Sequence, residues 1–252
     1  LFEGRTVLVS GGGSGIGRAI ALLFSRLGAR VAICGRTPEK LERTAGFLRG
    51  KNRPVLAIPT NVREPEQVDA LFRKVEAEFG GPHILVNNAG GQFPGQSIDF
   101  PVKGWNAVVN NNLNGTWYMM QRAAQLWREQ QAPGSIVNIV AVTERGMPGV
   151  AHTVAARAGV VGLTRTVAVE WAPLRIRINC LAPGLTATEA VKEFPRANPL
   201  KRPGSPLEMA EACVYLAGPS GSFITGEVLT VDGGGKLWGE LWTAGRPEYY
   251  DF

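Results

Sequence analysis

Apolar and polar positions fall into alternating blocks along the chain. The runs RTVLVS, RVAICG, PVLAIPTN, HILVNNAG, GSIVNIVAV, IRINCLAPG and VLTVDGG are short and nearly all apolar, as buried strands are. Between them GIGRAIALLFSRLG shows apolar residues at helical spacing and a glycine stop. Further helices are predicted over 37–48, 65–79, 102–131 and 151–170. Continuous apolar strands alternating with helices predict an α/β fold, a doubly wound, Rossmann-type parallel sheet with helices on both faces. No repeat or linker interrupts the pattern. The chain reads as a single domain over 1–252, with 236–252 as an aromatic-rich C-terminal tail that could cover a neighbouring subunit or the substrate mouth.

Composition changes this picture little. The 252 residues are 44% hydrophobic and 19% charged, enough to bury a core and too apolar for disorder. The formal charge is +6 and the pI near 9.5, but acids interleave with the bases, as in TPEKLERTAGFLRGKNR. That pattern argues against nucleic acid and fits attraction for an anionic cofactor or substrate. Cys34, Cys180 and Cys213 have no metal spacing and read as buried, reduced thiols. With two histidines in the chain, His83 and His152, no metal site is expected. No apolar run approaches a membrane span and no signal peptide precedes the first strand, so no membrane partner and a cytoplasmic location are expected.

The chemistry begins at VLVSGGGSGIGRAIAL, where Gly11, Gly15 and Gly17 lie between a strand and a helix. Glycines there allow a tight turn and let backbone N–H groups approach a phosphate at the helix N-terminus. A glycine cluster alone also makes plain turns; the strand–turn–helix context favours a dinucleotide. On the 151–170 helix, Thr153 and Arg157 stand four apart and share a face.

SGGGSGIG, NNAG at 87–90, LAPGLTAT and VDGGG occur in the order, and span the length, of the short-chain dehydrogenase/reductases, which the chain resembles. The resemblance implies that Gly11, Gly13, Ser14, Gly15, Ile16 and Gly17 cradle a nicotinamide dinucleotide. It puts Asn61 and Val62 by the adenine, Asn88, Ala89 and Gly90 along the cofactor, and Pro183, Gly184, Thr186 and Thr188 near its nicotinamide and pyrophosphate. The family commonly has Asp where Asn61 stands. Gly35 takes the place of the acid that holds an NAD ribose, and Arg36 follows, suited to a 2′-phosphate. The expected cofactor is therefore NADP(H).

The catalytic pattern departs from the family's Asn, Ser and YxxxK. Asn112 matches, Thr153 and Arg157 stand in the Tyr and Lys positions, and Thr143 is the hydroxyl nearest the Ser position. Ketone reduction needs an acid of tuned pKa, which a threonine hydroxyl is not, and arginine relays no proton. Reduction of a C=C bond conjugated to a thioester asks only for hydrogen-bond donors to an enolate oxygen. VNNAGGQF, KGWNAVVNNNLNGTWYM and the stretch from Gly134 to Val160 resemble the branch of peroxisomal trans-2-enoyl-CoA reductase and 2,4-dienoyl-CoA reductase, and the first of these likewise lacks YxxxK. The ending EYYDF in place of a peroxisomal signal again favours the cytoplasm.

The expected function is NADPH-dependent reduction of a trans-2-enoyl or 2,4-dienoyl acyl-CoA in fatty acid metabolism. Two alternatives are a 3-oxoacyl or hydroxyacyl dehydrogenase with an atypical proton donor, and an NADP(H)-binding sensor or assembly protein without catalysis. His152, Tyr118, Trp105 and Trp117 are expected in packing. The apolar surface of 102–131 and 151–170, which forms the family's four-helix interface, implies a homotetramer.

Overall fold

The computed structural model describes residues 1–144, 146–189 and 198–237. Its frame is a parallel sheet of seven strands in the order β3-β2-β1-β4-β5-β6-β7. The strands are β1 Thr6–Ser10, β2 Arg30–Gly35, β3 Val55–Pro59, β4 Ile84–Asn87, β5 Gly134–Ile139, β6 Ile176–Pro183 and β7 Val228–Val231. The chain runs outward from β1 through β2 to β3, then crosses back so that β4 lies on the other side of β1. That reversal opens a crevice above the carboxyl ends of β1 and β4, where doubly wound sheets take their ligands.

Alternation along each strand divides the core in two. From β1, Val7 and Val9 pack on one face with α1 (Gly15–Arg26), α2 (Pro38–Arg49) and α7 (Pro206–Ala217), through Ile20, Phe24, Leu41, Met209 and Cys213. Leu8 points to the other face, among Leu71 and Phe72 of α3 (Pro65–Phe79), Met120 and Trp127 of α5 (Gly115–Glu129) and Val167 of α6 (Ala151–Glu170). Trp127 is buried against Gly134, where any side chain would enter its ring, and its indole N–H donates to Pro82 O at 2.6 Å. All three cysteines are free and buried; desolvation pushes the Cys34 thiol up to about 12. No described helix is long and apolar enough to cross a membrane.

Two elements differ from expectation. The helix expected over 102–131 is α4 (Val102–Val109), a π-helical turn at Asn110–Asn114, and then α5. Three consecutive asparagines are weak helix formers whose amides compete for backbone partners, so the widened turn falls there. Helix α7, between β6 and β7, was not among the expected elements. It carries its own start signal: Ser205 Oγ accepts the Glu208 N–H at 3.2 Å, Glu208 accepts the Ser205 N–H at 2.7 Å, and Pro206 takes the first turn.

Arg177 of β6 ties down the other end of α7. Its Nη1 donates to Leu216 O (2.9 Å), Gly221 O (2.6 Å) and Ile224 O (3.2 Å), and its Nη2 to Ala217 O (3.1 Å) and Ser135 Oγ (3.3 Å). Leu216 O and Ala217 O are carbonyls that the end of α7 leaves unpaired; Gly221 O and Ile224 O belong to the turns that follow it. An Arg177→Met variant strips several charge-assisted bonds at once and should lose about 3 kcal/mol or more. That corresponds to a fall of roughly 6–12 °C in Tm for a domain of this size, read by calorimetry. An unchanged Tm would mean that α7 is held by its apolar face alone.

Candidate active site

The crevice is closed at its base by a seam between β1 and β4. Ser10 Oγ accepts the N–H groups of Asn88 and Ala89, each at 3.0 Å, and Asn88 Nδ2 donates to Ser10 O (3.0 Å) and Gly11 O (3.3 Å). The asparagine amide occupies the space a side chain would need at Gly11, whose φ is +69°, and at Gly17. Only glycine fits either position, so the loop lies flat on β4 and α1 starts hard against it. The first turn of α1 carries no acid, which leaves its N–H groups free for an anion.

Above the seam lies a cleft of about 570 Å³. Gly11, Gly13, Ser14, Gly15 and Ile16 form one wall, and Arg36, Thr37 and Lys40 form an end where the chain enters α2. Thr60 and Val62, then Asn88, Ala89, Gly90 and Asn111, continue the lining, and Thr188 closes over Gly15. Lys40, Leu41, Thr60, Asn111 and Glu189 join without having been expected; Lys40 does so because the first turn of α2 packs against Gly13.

Some expected residues lie elsewhere. Both ends of the Asn61 amide are taken locally: Oδ1 accepts from Arg63 Nε at 3.0 Å and Nδ2 donates to Glu64 at 3.2 Å. Thr186 is buried, its hydroxyl donating to Gly184 O at 3.0 Å. Pro183 ends β6, and Gly184 packs on Asp232, so neither forms part of the cleft lining.

Asn112 sits in the π-helical turn, where Thr116 Oγ1 takes its backbone carbonyl at 2.9 Å. Its side chain grips Gly91 twice: Oδ1 accepts the Gly91 N–H (3.0 Å) and Nδ2 donates to Gly91 O (2.9 Å). Arg157, on α6, reaches the same segment. Its guanidinium lies where a Gly90 side chain would be, and Nη1 is buried with no hydrogen-bond partner among the described residues. Burial lowers its pKa to about 10, with a small opposing effect of Cys180, so the group is a cation at neutral pH.

Thr153 is buried one turn earlier on α6, its Oγ1 3.4 Å from His152 Nδ1. The His152 Nδ1 accepts the Thr153 N–H at 2.8 Å, and its Nε2 is buried with no hydrogen-bond partner among the described residues. The ring stacks on Phe100 and meets Phe93 edge-on, each with centroids 4.5 Å apart. Thr143 lies in the half-buried stretch after β5, its carbonyl accepting the Gly146 N–H at 3.0 Å.

Residues 11–236 match the family described as enoyl-(acyl carrier protein) reductase. A probable 2,4-dienoyl-CoA reductase of Bacillus subtilis is 35% identical over 245 residues, covering 92% of this chain and 96% of that protein. A 3-oxoacyl-(acyl-carrier-protein) reductase of Thermotoga maritima is also 35% identical, over 244 residues, covering 92% and 98%. Among solved structures, a citronellol catabolism dehydrogenase of Pseudomonas aeruginosa is 40% identical with a TM-score of 0.87, covering 94% of this chain and 96% of its own. The chain is a short-chain dehydrogenase/reductase.

The cleft of this short-chain dehydrogenase/reductase fits the NAD(P) that the family binds. The flat glycine loop and free helix N-terminus suit a pyrophosphate, and the orphaned Arg157 Nη1 is a buried donor awaiting an acceptor such as a ribose hydroxyl. Gly90 is the point at which this arrangement is most sensitive. A Gly90→Ala variant forces Arg157 aside and should weaken dinucleotide binding by about 5- to 100-fold, the cost of overpacking. Gly91→Ala is the control, because its methyl would come no nearer than 4.0 Å to Asn111 Nδ2. Calorimetric titration of both variants checks this; equal affinities would detach Arg157 from cofactor binding.

Proposed function

We propose that this oxidoreductase is an NADPH-dependent reductase of the C=C bond of a trans-2-enoyl or 2,4-dienoyl thioester, with acyl-CoA as substrate. The observation that carries the reading is the pair Thr153 and Arg157: a buried hydroxyl of negligible acidity beside a guanidinium that stays protonated. Such a pair supplies hydrogen bonds and charge but no proton relay. The nicotinamide cofactor would supply hydride to the β carbon of a 2-enoyl thioester, or to the δ carbon of a 2,4-dienoyl one. Thr153 then donates to the thioester oxygen as the charge of the enolate gathers there, and Arg157 holds the cofactor's ribose. Asn112 keeps the 90–91 segment in register with both, and Thr143 is a second candidate donor.

The end of the cleft lined by Arg36 and Lys40 supports NADPH over NADH, since two cations suit the extra phosphate and Gly35 stands where an acid would hold an NAD ribose. Glu189, the acid in the described lining, follows Thr188 beside Gly15. The name of the Bacillus subtilis relative supports the C=C reading. The equally similar Thermotoga maritima protein supports a second one, reduction of a 3-oxoacyl thioester. Exposed Val102, Trp105 and Val169 on α4 and α6 support assembly into a homotetramer through those helices.

Steady-state rates with crotonyl-CoA and acetoacetyl-CoA, each with NADPH and NADH, separate the two reactions. Crotonyl-CoA with NADPH should be the fastest pair. Thr153→Val, which keeps the shape and loses the donor, should lower kcat on crotonyl-CoA by about 10²–10³, while Thr153→Ser retains most of it. Faster turnover of acetoacetyl-CoA would select the second reading, and an unimpaired Thr153→Val would remove Thr153 from the chemistry.

A further inference from the structure

A second concavity, sharing no residue with the cofactor cleft, runs between the carboxyl-terminal parts of α1 and α2 and the start of α7; its volume is about 740 Å³. The walls are apolar. Leu22 and Leu23 come from α1, Phe47 and Leu48 from α2, and Leu207 from α7. Phe47 and Leu207 are 51% and 52% exposed, unusual for side chains of this size on neighbouring helices.

The polar part of the groove has one sign. Arg26, Lys51 and Arg53 line it, no acid does, and none of the three side chains makes a hydrogen bond or ion pair among the described residues. Three cations brought together without a carboxylate favour an anion between them.

We infer that this groove binds a single-chain anionic amphiphile, a carboxylate on an alkyl chain of fatty-acid type. The chain lies along Leu22, Leu23, Phe47 and Leu207, and the head group meets Arg26, Lys51 and Arg53. A groove walled by three helices encloses one alkyl chain, whereas a bilayer presents a flat face. The inference is independent of the reaction proposed above.

Titration calorimetry on the full chain, with NADPH present, tests it with dodecanoate below its micelle concentration. Dodecanoate should bind with one-to-one stoichiometry, and dodecyltrimethylammonium at least about tenfold more weakly, since the head group meets only cations (tenfold is about 1.4 kcal/mol). Phe47→Asp and the double variant Arg26→Glu/Arg53→Glu change exposed side chains and should keep the wild-type circular dichroism and NADPH affinity. Each should weaken dodecanoate by about tenfold or more. Full affinity in both variants would place the alkyl chain elsewhere, in the substrate region, and overturn the inference. So would absence of binding, equal affinity for the cationic amphiphile, or cosedimentation with phosphatidylglycerol vesicles without binding of monomeric dodecanoate.

Discussion

The seam between Ser10 and Asn88 is the constraint on which the site depends. One hydroxyl accepts two backbone N–H groups of the turn after β4, and one amide returns two bonds to the turn after β1. These bonds join the two strands at the point where the winding reverses, and so define the floor of the cleft. Because the Asn88 amide fills the space beside Gly11 and Gly17, the loop cannot rise, and α1 begins where a phosphate can meet its N–H groups. The same turn delivers Gly90 to Arg157 and Gly91 to Asn112. The cleft and α6 are therefore held by a single short segment.

Most of this architecture was legible in the residues. Buried parallel strands are apolar almost throughout, and the stretch 65–79 has the spacing of a helix packed on a sheet, as α3 is. What escaped was decided by side-chain competition that periodicity does not record. The apolar spacing of 102–131 runs through Asn110–Asn114 without a break, although the asparagines widen the turn and set Asn112 against Gly91. The resemblance puts Asn61 by the adenine; in this structure its amide is bonded to Arg63 and Glu64. Lys40 joins the cleft because α2 docks with its first turn beside Gly13, a tertiary fact. Helix α7 is different, since its capping box and proline were present in the sequence.

The proposed chemistry starts from a buried cation. Among the described residues Arg157 is desolvated, has no carboxylate partner and keeps one guanidinium nitrogen unpaired, an arrangement that costs stability in the free protein and is relieved when an acceptor arrives. The charge then lies in the same buried region as the Thr153 hydroxyl and a His152 ring locked between Phe93 and Phe100. A site built in this way can stabilise negative charge gathering on an oxygen, and neither Thr153 nor Arg157 is suited to protonate an alkoxide as it forms.

The position of the transferred hydrogen is the most direct test of that account. NADPH carrying deuterium at its transferring position is incubated with crotonyl-CoA, and the acyl product is analysed by mass spectrometry and deuterium NMR. The account predicts butyryl-CoA with deuterium at the β carbon and a solvent-derived hydrogen at the α carbon. Deuterium at the α carbon would contradict it, as would an unlabelled acyl chain when the same preparation labels the carbinol carbon of a 3-hydroxyacyl product from acetoacetyl-CoA.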